Sequence, residues 1–332
     1  MLSSVMILTG AIVIIALIFD LINGFHDSAN AIACSVSTRV LTLKQAVIMS
    51  AVMNFIGAFM NVKVAKTIGS GIVDPTHIVP KVIAAALIGA IVWNLITWYF
   101  GIPSSSSHAL IGGLVGSAIT YAHSIAIVNW SSLFSKVILW LVLSPVIGFF
   151  IGFVLMNIIN MSLRNTRPST VSKIFSKAQI GSAMLIALNH GGNDAQKSMG
   201  IITMALVSAG FLPQFAVPTW VKISCALAMA LGTSLGGKKI IKTMGSKMAK
   251  IAPVNGFTAE IGASAVMFTA TMLNAPISTT HTITGSIMGV GASKRLSAVR
   301  WAVAKEIVTA WVLTIPISAA IAAGTLLLIN LI

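Results

Sequence analysis

The sequence predicts an all-α polytopic membrane protein with about ten transmembrane crossings in two inverted-topology repeats, broken helices and re-entrant-like Ser/Thr-rich helix heads. Three observations carry this. The 332 residues are 57% hydrophobic and 8% charged, with mean hydropathy +0.98, whereas a soluble domain carries about 25% charged residues. Apolar stretches able to cross about 30 Å of hydrocarbon recur on both sides of one polar, basic segment. Motif blocks from the first half also return, in order, in the second.

The stretches run over 5–37, 41–60, 78–100, 104–121 and 134–157, then over 178–208, 214–235, 256–274, 277–291 and 301–332. The first has no basic region ahead of it and no small-residue cleavage site after it, so it is expected to be a retained span and not a signal peptide. The polar segment sets expected boundaries: a first repeat over 1–158, a cytoplasmic linker over 159–177 and a second repeat over 178–332. Three blocks match between halves. His26-Asp27 matches Asn193-Asp194; Lys63-Val-Ala-Lys-Thr-Ile-Gly69 matches Lys239-Ile-Ile-Lys-Thr-Met-Gly245; Gly101-Ile-Pro-Ser-Ser-Ser-Ser-His108 matches Asn274-Ala-Pro-Ile-Ser-Thr-Thr-His281.

An odd number of crossings per repeat orients the halves oppositely, and the basic residues agree. Arg39 and Lys44 face an uncharged counterpart at 208–215; Lys63 and Lys66 face a lysine-rich one from Lys238 to Lys250; the uncharged loop at 122–132 faces Lys294, Arg295 and Arg300. Placing the richer member of each pair inside, with the linker, puts both termini outside. The formal charge of +15 therefore reads as loop residues of a cell-membrane protein and not as a nucleic-acid surface. Cys34 and Cys225 lack metal-ligand or paired spacing and read as packing residues. No metal site is expected.

Asp27 and Asp194 are two of only six acidic residues. A carboxylate at the centre of a membrane helix costs about 2.5–3.5 kcal/mol on insertion scales, so such a residue is expected to be functional. The surrounding Asn23, Gly24, Ser28 and Asn30, and Asn189, Gly191, Gly192, Asn193 and Gln196, predict helix breaks that expose oxygens to a coupling cation or proton. The runs after Pro103 and Pro276 are different. A proline followed by hydroxyls at the head of an apolar helix leaves free N–H groups at the positive end of the helix dipole, an anion site made from neutral donors. Ser104, Ser105 and Ser106 with Ser278, Thr279 and Thr280 are the candidate anion residues. His108 and His281 close the runs and either orient hydroxyls or titrate. His26 beside Asp27 suggests a proton relay; His77, His123 and His190 are not assigned. Glu260 and Glu306 either pair with Lys305 or Lys197 or titrate.

At these blocks the sequence resembles the inorganic phosphate transporter (PiT) family, over nearly its whole length. The carrying segments are Gly-Phe-His-Asp-Ser-Ala-Asn-Ala, Gly-Gly-Asn-Asp-Ala-Gln-Lys and Pro-Ile-Ser-Thr-Thr-His. The resemblance implies a secondary transporter, often a homodimer, that moves phosphate with Na+ or H+ and needs no other cofactor. It implies that Asp27, Asn30, Asn193 and Asp194 hold the coupling ion, that Ser105, Ser106, Thr279 and Thr280 hold phosphate, and that Glu260 has a role on the cation side. Two departures stand out. Many sodium-coupled members have Asn-Asp-x-x-Asn in both repeats, whereas this chain has His26 before Asp27 and Lys197 three residues after Asp194. Asn54 stands where many relatives have Glu. A fixed ammonium at Lys197 replaces a coupling cation, with His26 and Gln196 as further charge-tuning candidates, and the pattern looks more like the bacterial proton-coupled branch.

The expected activity is phosphate import by cation symport through alternating access, with H+ favoured over Na+. The alternatives are a sulfate or other oxyanion permease on the same scaffold and a passive anion channel. An enzyme is not expected, because the Ser, His and Asp residues duplicate by repeat instead of forming one triad.

Overall fold

The computed structural model describes residues 2–73, 78–235, 237–249 and 251–331, and the described chain is helical apart from its connections and a single β-bridge between Val73 and Val128. The helices are α1 (Leu2–Ser37), α2 (Leu43–Gly57), α3 (Lys63–Ser70), α4 (Pro80–Phe100), α5 (Ser106–Ala122), α6 (Trp130–Leu133), α7 (Leu139–Ser162), α8 (Pro168–Ser208), α9 (Thr219–Leu235), α10 (Lys238–Lys242), α11 (Pro253–Met272), α12 (Thr279–Lys294) and α13 (Trp301–Ile329). Only helices or closed barrels satisfy their backbone within lipid, so this content follows from the composition. Among the described residues, four segments are long and apolar enough to cross a membrane: Val5–Ser37, Pro80–Phe100, Trp130–Ser162 and Trp301–Ile329. Thr219–Leu235 and Lys238–Gly245 form a further apolar helix pair bent by 64°, the geometry of a broken span or a re-entrant loop. The other expected crossings are helical, but they are shorter or carry the polar motifs.

One sequence expectation changes here. Neither Asp motif breaks its helix: α1 runs unbroken past Asp27, and α8 past Asp194. Their glycines serve close packing instead. A Cβ on Gly24 would stand 2.4 Å from the carbonyl oxygen of Met229 on α9, and one on Gly191 would stand 2.1 Å from that of Asn54 on α2. Small residues of this kind let membrane helices approach backbone to backbone. The breaks fall next door, between α2 and α3 and between α9 and α10. The expected linker is largely helical: only 163–167 separates α7 from α8, which opens on Pro168 at its first turn.

Packing is crossed between the halves. α1 lies on α9 and α8 on α2, while α5 lies on α13 and α12 on α7. Each hydrophobic cluster therefore mixes residues of both halves, and the sequence repeats are not separate structural domains. The correspondence extends beyond the three sequence blocks. The Asn129 N–H donates to the Ile72 carbonyl at 2.9 Å, as Arg300 does to Met248 at 3.0 Å. The Trp130 and Trp301 indoles donate to the carbonyls of Ile125 and Leu296, both at 2.9 Å.

Candidate functional site

Two chain reversals build the centre of the molecule. α4 ends at Gly101 (φ +69°), and α11 is followed by Asn274 (φ +59°). Gly and Asn are the residues that most readily take this left-handed conformation. The next N–H closes each turn, Ile102 to Thr97 at 2.9 Å and Ala275 to Ala270 at 3.0 Å. Proline then prevents the helix from continuing, and a new helix starts from an extended N-cap. At Ser105 the side chain accepts from the His108 N–H at 3.3 Å, and at Ser278 from the His281 N–H at 3.2 Å. The cap carbonyls take the N–H groups of Ala109 and Thr282. The first two N–H groups of each helix, at Ser106 and Ser107 and at Thr279 and Thr280, have no acceptor within their own helix.

These heads separate the candidate hydroxyls by task. Ser105 and Ser278 are committed as caps. Ser104 donates to Thr97 at 2.9 Å, anchoring the loop. Ser106 and Thr279, which are equivalent in the repeat, are buried with hydroxyls that have no partner. An unpartnered polar group enclosed by protein is costly unless a ligand satisfies it. Ser105→Ala and Ser278→Ala are therefore expected to lower helix stability by about 1 kcal/mol each. Ser106→Ala and Thr279→Ala should leave thermal stability in detergent unchanged but weaken anion binding by about 1.5–3 kcal/mol each, the value of a hydrogen bond to a charged group.

The remaining pair links the heads to the aspartate helices, crosswise. The Asn30 amide on α1 donates to the Thr280 hydroxyl on α12 at 2.7 Å, and Lys197 on α8 donates to the Ser107 hydroxyl on α5. Asn30 and Lys197 are equivalent in the repeat, as are Thr280 and Ser107. Sequence reading missed Ser107, although aligning the two histidines places it opposite Thr280. The same Lys197 ammonium pairs with Asp194, and Lys197 is completely buried. No expected pairing of Lys197 with Glu260 or Glu306 forms.

Each aspartate has its own company. His26 Nδ1 lies 2.6 Å from Asp27 Oδ1, and His26 Nε2 lies 2.9 Å from the Thr97 hydroxyl. Asn193, the counterpart of His26, donates to Thr271 at 3.0 Å, so both groups tie their helix to the one that carries the next reversal. His190, unassigned from sequence, lies one turn before Asp194 with Nε2 3.3 Å from Oδ2 and Nδ1 3.1 Å from Asn54 Oδ1. The i, i+4 spacing was its signal. The carbonyl oxygens of Asn30 and Asn193 have no partner, and Asp27 lies within electrostatic range of His190 and Lys197. The two centres thus form one buried cluster of oxygens around a single fixed ammonium.

Two candidates are placed elsewhere. The Gln196 carbonyl accepts from the Val64 N–H at 2.8 Å and the Ala65 N–H at 3.3 Å, capping α3, whose N-cap Val62 supplies no side-chain oxygen. Glu260 bonds Ser182 and Gln179; Ser182 is twelve residues before Asp194 on α8, about 18 Å along the helix axis. Glu306 is exposed on α13, and His77 lies outside the described residues. Neither head histidine bonds a head hydroxyl. His108 and His281 meet each other, with ring centres 5.0 Å apart, and His281 stacks on Trp311 at 3.8 Å. Ser104 to Ser107, Thr279 and Thr280 are all at most 4% exposed, so the cluster is enclosed. A small cleft lined by Asn61, Gly192 and Phe268 reaches Thr271, the partner of Asn193.

The phosphate transporter family model matches residues 23–170 and 159–322. The chain belongs to the phosphate transporter family. It is 52% identical to a probable low-affinity inorganic phosphate transporter of Bacillus subtilis (strain 168), over 98% of both chains, and 52% identical to one of Rhizobium meliloti (strain 1021), over 94% of this chain and 93% of the relative. A solved structure described as the sodium-dependent phosphate transporter superposes with TM-score 0.90 at 26% identity, covering 99% of this chain and 100% of that one. Family membership identifies a multi-pass membrane transporter and removes the enzyme reading of the Ser, His and Asp residues.

Proposed function

We propose that the protein imports inorganic phosphate by proton symport through alternating access. The observation that carries the reading is the crossed pairing of Asn30 with Thr280 and of Lys197 with Ser107. Both links join an aspartate helix of one repeat to a hydroxyl head of the other, so occupation of an aspartate is felt at the heads. Phosphate is held by Ser106, Ser107, Thr279 and Thr280 with the free N–H groups beside them. Of the residues expected on the cation side, Asp27 takes the coupling ion with the Asn30 and Asn193 oxygens nearby, while Asp194 stays paired with Lys197. A carboxylate that takes up a proton no longer repels the incoming anion, and this links the two sites.

The asymmetry of the links favours H+ over Na+. Where the first repeat presents the Asn30 oxygen, the second presents an ammonium already paired with Asp194. That ammonium supplies permanently the charge that a mobile cation would bring, leaving Asp27 and His26 as the exchangeable site. The same reading places the protein in the cell membrane as a homodimer, with inverted repeats, both termini outside and Glu260 acting on the cation side from a distance. Phosphate uptake into proteoliposomes, with pH and sodium gradients imposed separately, tests it. Uptake driven by the pH gradient alone is expected; uptake that follows sodium and ignores pH would overturn the proton assignment. Competition by sulfate reports whether the heads read the protons of phosphate.

A further inference from the structure

Asp20 is a second buried carboxyl on α1, outside the motifs the sequence reading used. It is completely buried, the Ser198 hydroxyl donates to its Oδ1 at 2.6 Å, and its Oδ2 has no partner. Asn23, one turn on, is also completely buried, and neither atom of its side-chain amide is partnered. Asp20, Asn23, Asp27 and Asn30 follow one another at spacings of three, four and three, which places them on one face of the helix. The stripe is about 15 Å long and ends at Thr280 in a phosphate head.

Every element against Asp20 adds to the case. From α8 come Ser198, preceded directly by Lys197, and the Asp194 carboxylate. From α9 comes the Cys225 thiol. On α1 itself the nearest acid is Asp27, held by His26. The groups on Asp20 are thus one hydroxyl and a thiol, with the Asp194 carboxylate and the Lys197 ammonium acting only through their charges, which is not the shell of oxygens that a hard metal cation requires. Asn23 offers both a donor and an acceptor between the two carboxyls of the stripe.

We propose that Asp20 is a second proton-binding station, loaded at Oδ2 and carrying its own proton in addition to the one on Asp27. Each carboxylate takes one proton from one side of the membrane and releases it on the other, so no other reactant is needed. The inference rests on proton symport as the function, and it adds that a further proton travels with each phosphate.

The test counts protons per phosphate in proteoliposomes, from the internal pH change and labelled phosphate uptake in the same vesicles. In Asp20→Asn the count is expected to fall by one, while binding of inorganic phosphate without a gradient changes less than about twofold, because the heads are untouched. Asp20→Glu should restore the count. Asp20→Ser serves as a second neutral variant if the amide misfolds. A wild-type count that Asp20→Asn and Asp20→Ser leave unchanged overturns the station while proton symport stands. A wild type that ignores the pH gradient overturns symport itself, and the station with it. A variant that loses sodium dependence instead of a proton overturns the proton assignment at Asp20.

Discussion

Asp27→Asn is expected to stop pH-driven phosphate uptake while the protein remains folded. The variant keeps the size of the side chain and removes its charge. His26 keeps its contact with the Thr97 hydroxyl at 2.9 Å. The exchangeable carboxylate is gone, however, and with it the step that links proton to phosphate. Uptake under a pH gradient should fall at least about a hundredfold, about 2.7 kcal/mol of lost coupling, with an unchanged elution profile in detergent. Full activity in this variant would remove the central claim. The contrast with Asp194 is part of the expectation, because Asp194 is paired with Lys197 and is not assigned to exchange.

Lys197→Asn is expected to turn the protein towards sodium. The substitution makes the second repeat match the first at the equivalent position, with an amide beside Asp194 and the Ser107 hydroxyl on the far side. With the ammonium absent, Asp194 and the unpartnered Asn193 oxygen can accept a mobile cation. Phosphate uptake should become stimulated by external sodium. Lys197→Met separates charge from ligation: it supplies neither an ammonium nor an oxygen, leaves Asp194 beside His190 alone, and should destabilise the fold by about 3–5 kcal/mol. If Lys197→Asn transports as the wild type does, with no response to sodium, the ammonium does not occupy the role of a cation.

Much of the site was legible because it depends on short-range chemistry. Gly101 and Asn274 before Pro103 and Pro276 dictate a left-handed stop and a fresh helix start, and the following hydroxyls announce its use. His190 and Asp20 were less visible for a geometric reason. Each lies on the same helix face as its aspartate, four to seven residues away, and a helix face becomes informative only when the opposing helix is known. The glycines beside the aspartates show the same limit. Their composition suggests a broken helix, but their contacts with Met229 and Asn54 show backbones packed together, and that depends on a partner more than a hundred residues away.

The sequence by itself determined the helical membrane class, the duplication, the two reversals with their hydroxyl heads and the rarity of the buried charges. These follow from hydropathy, proline and glycine chemistry and local capping, all of which act within a few residues. Only the tertiary structure decided which hydroxyls are caps and which have no partner, that Asn30 and Lys197 reach across to the opposite repeat's head, and that Glu260 sits apart. Those outcomes depend on which helices pack together. In a chain whose apolar surfaces are all alike, close backbone contacts and single polar pairs select the packing, and hydrophobicity does not.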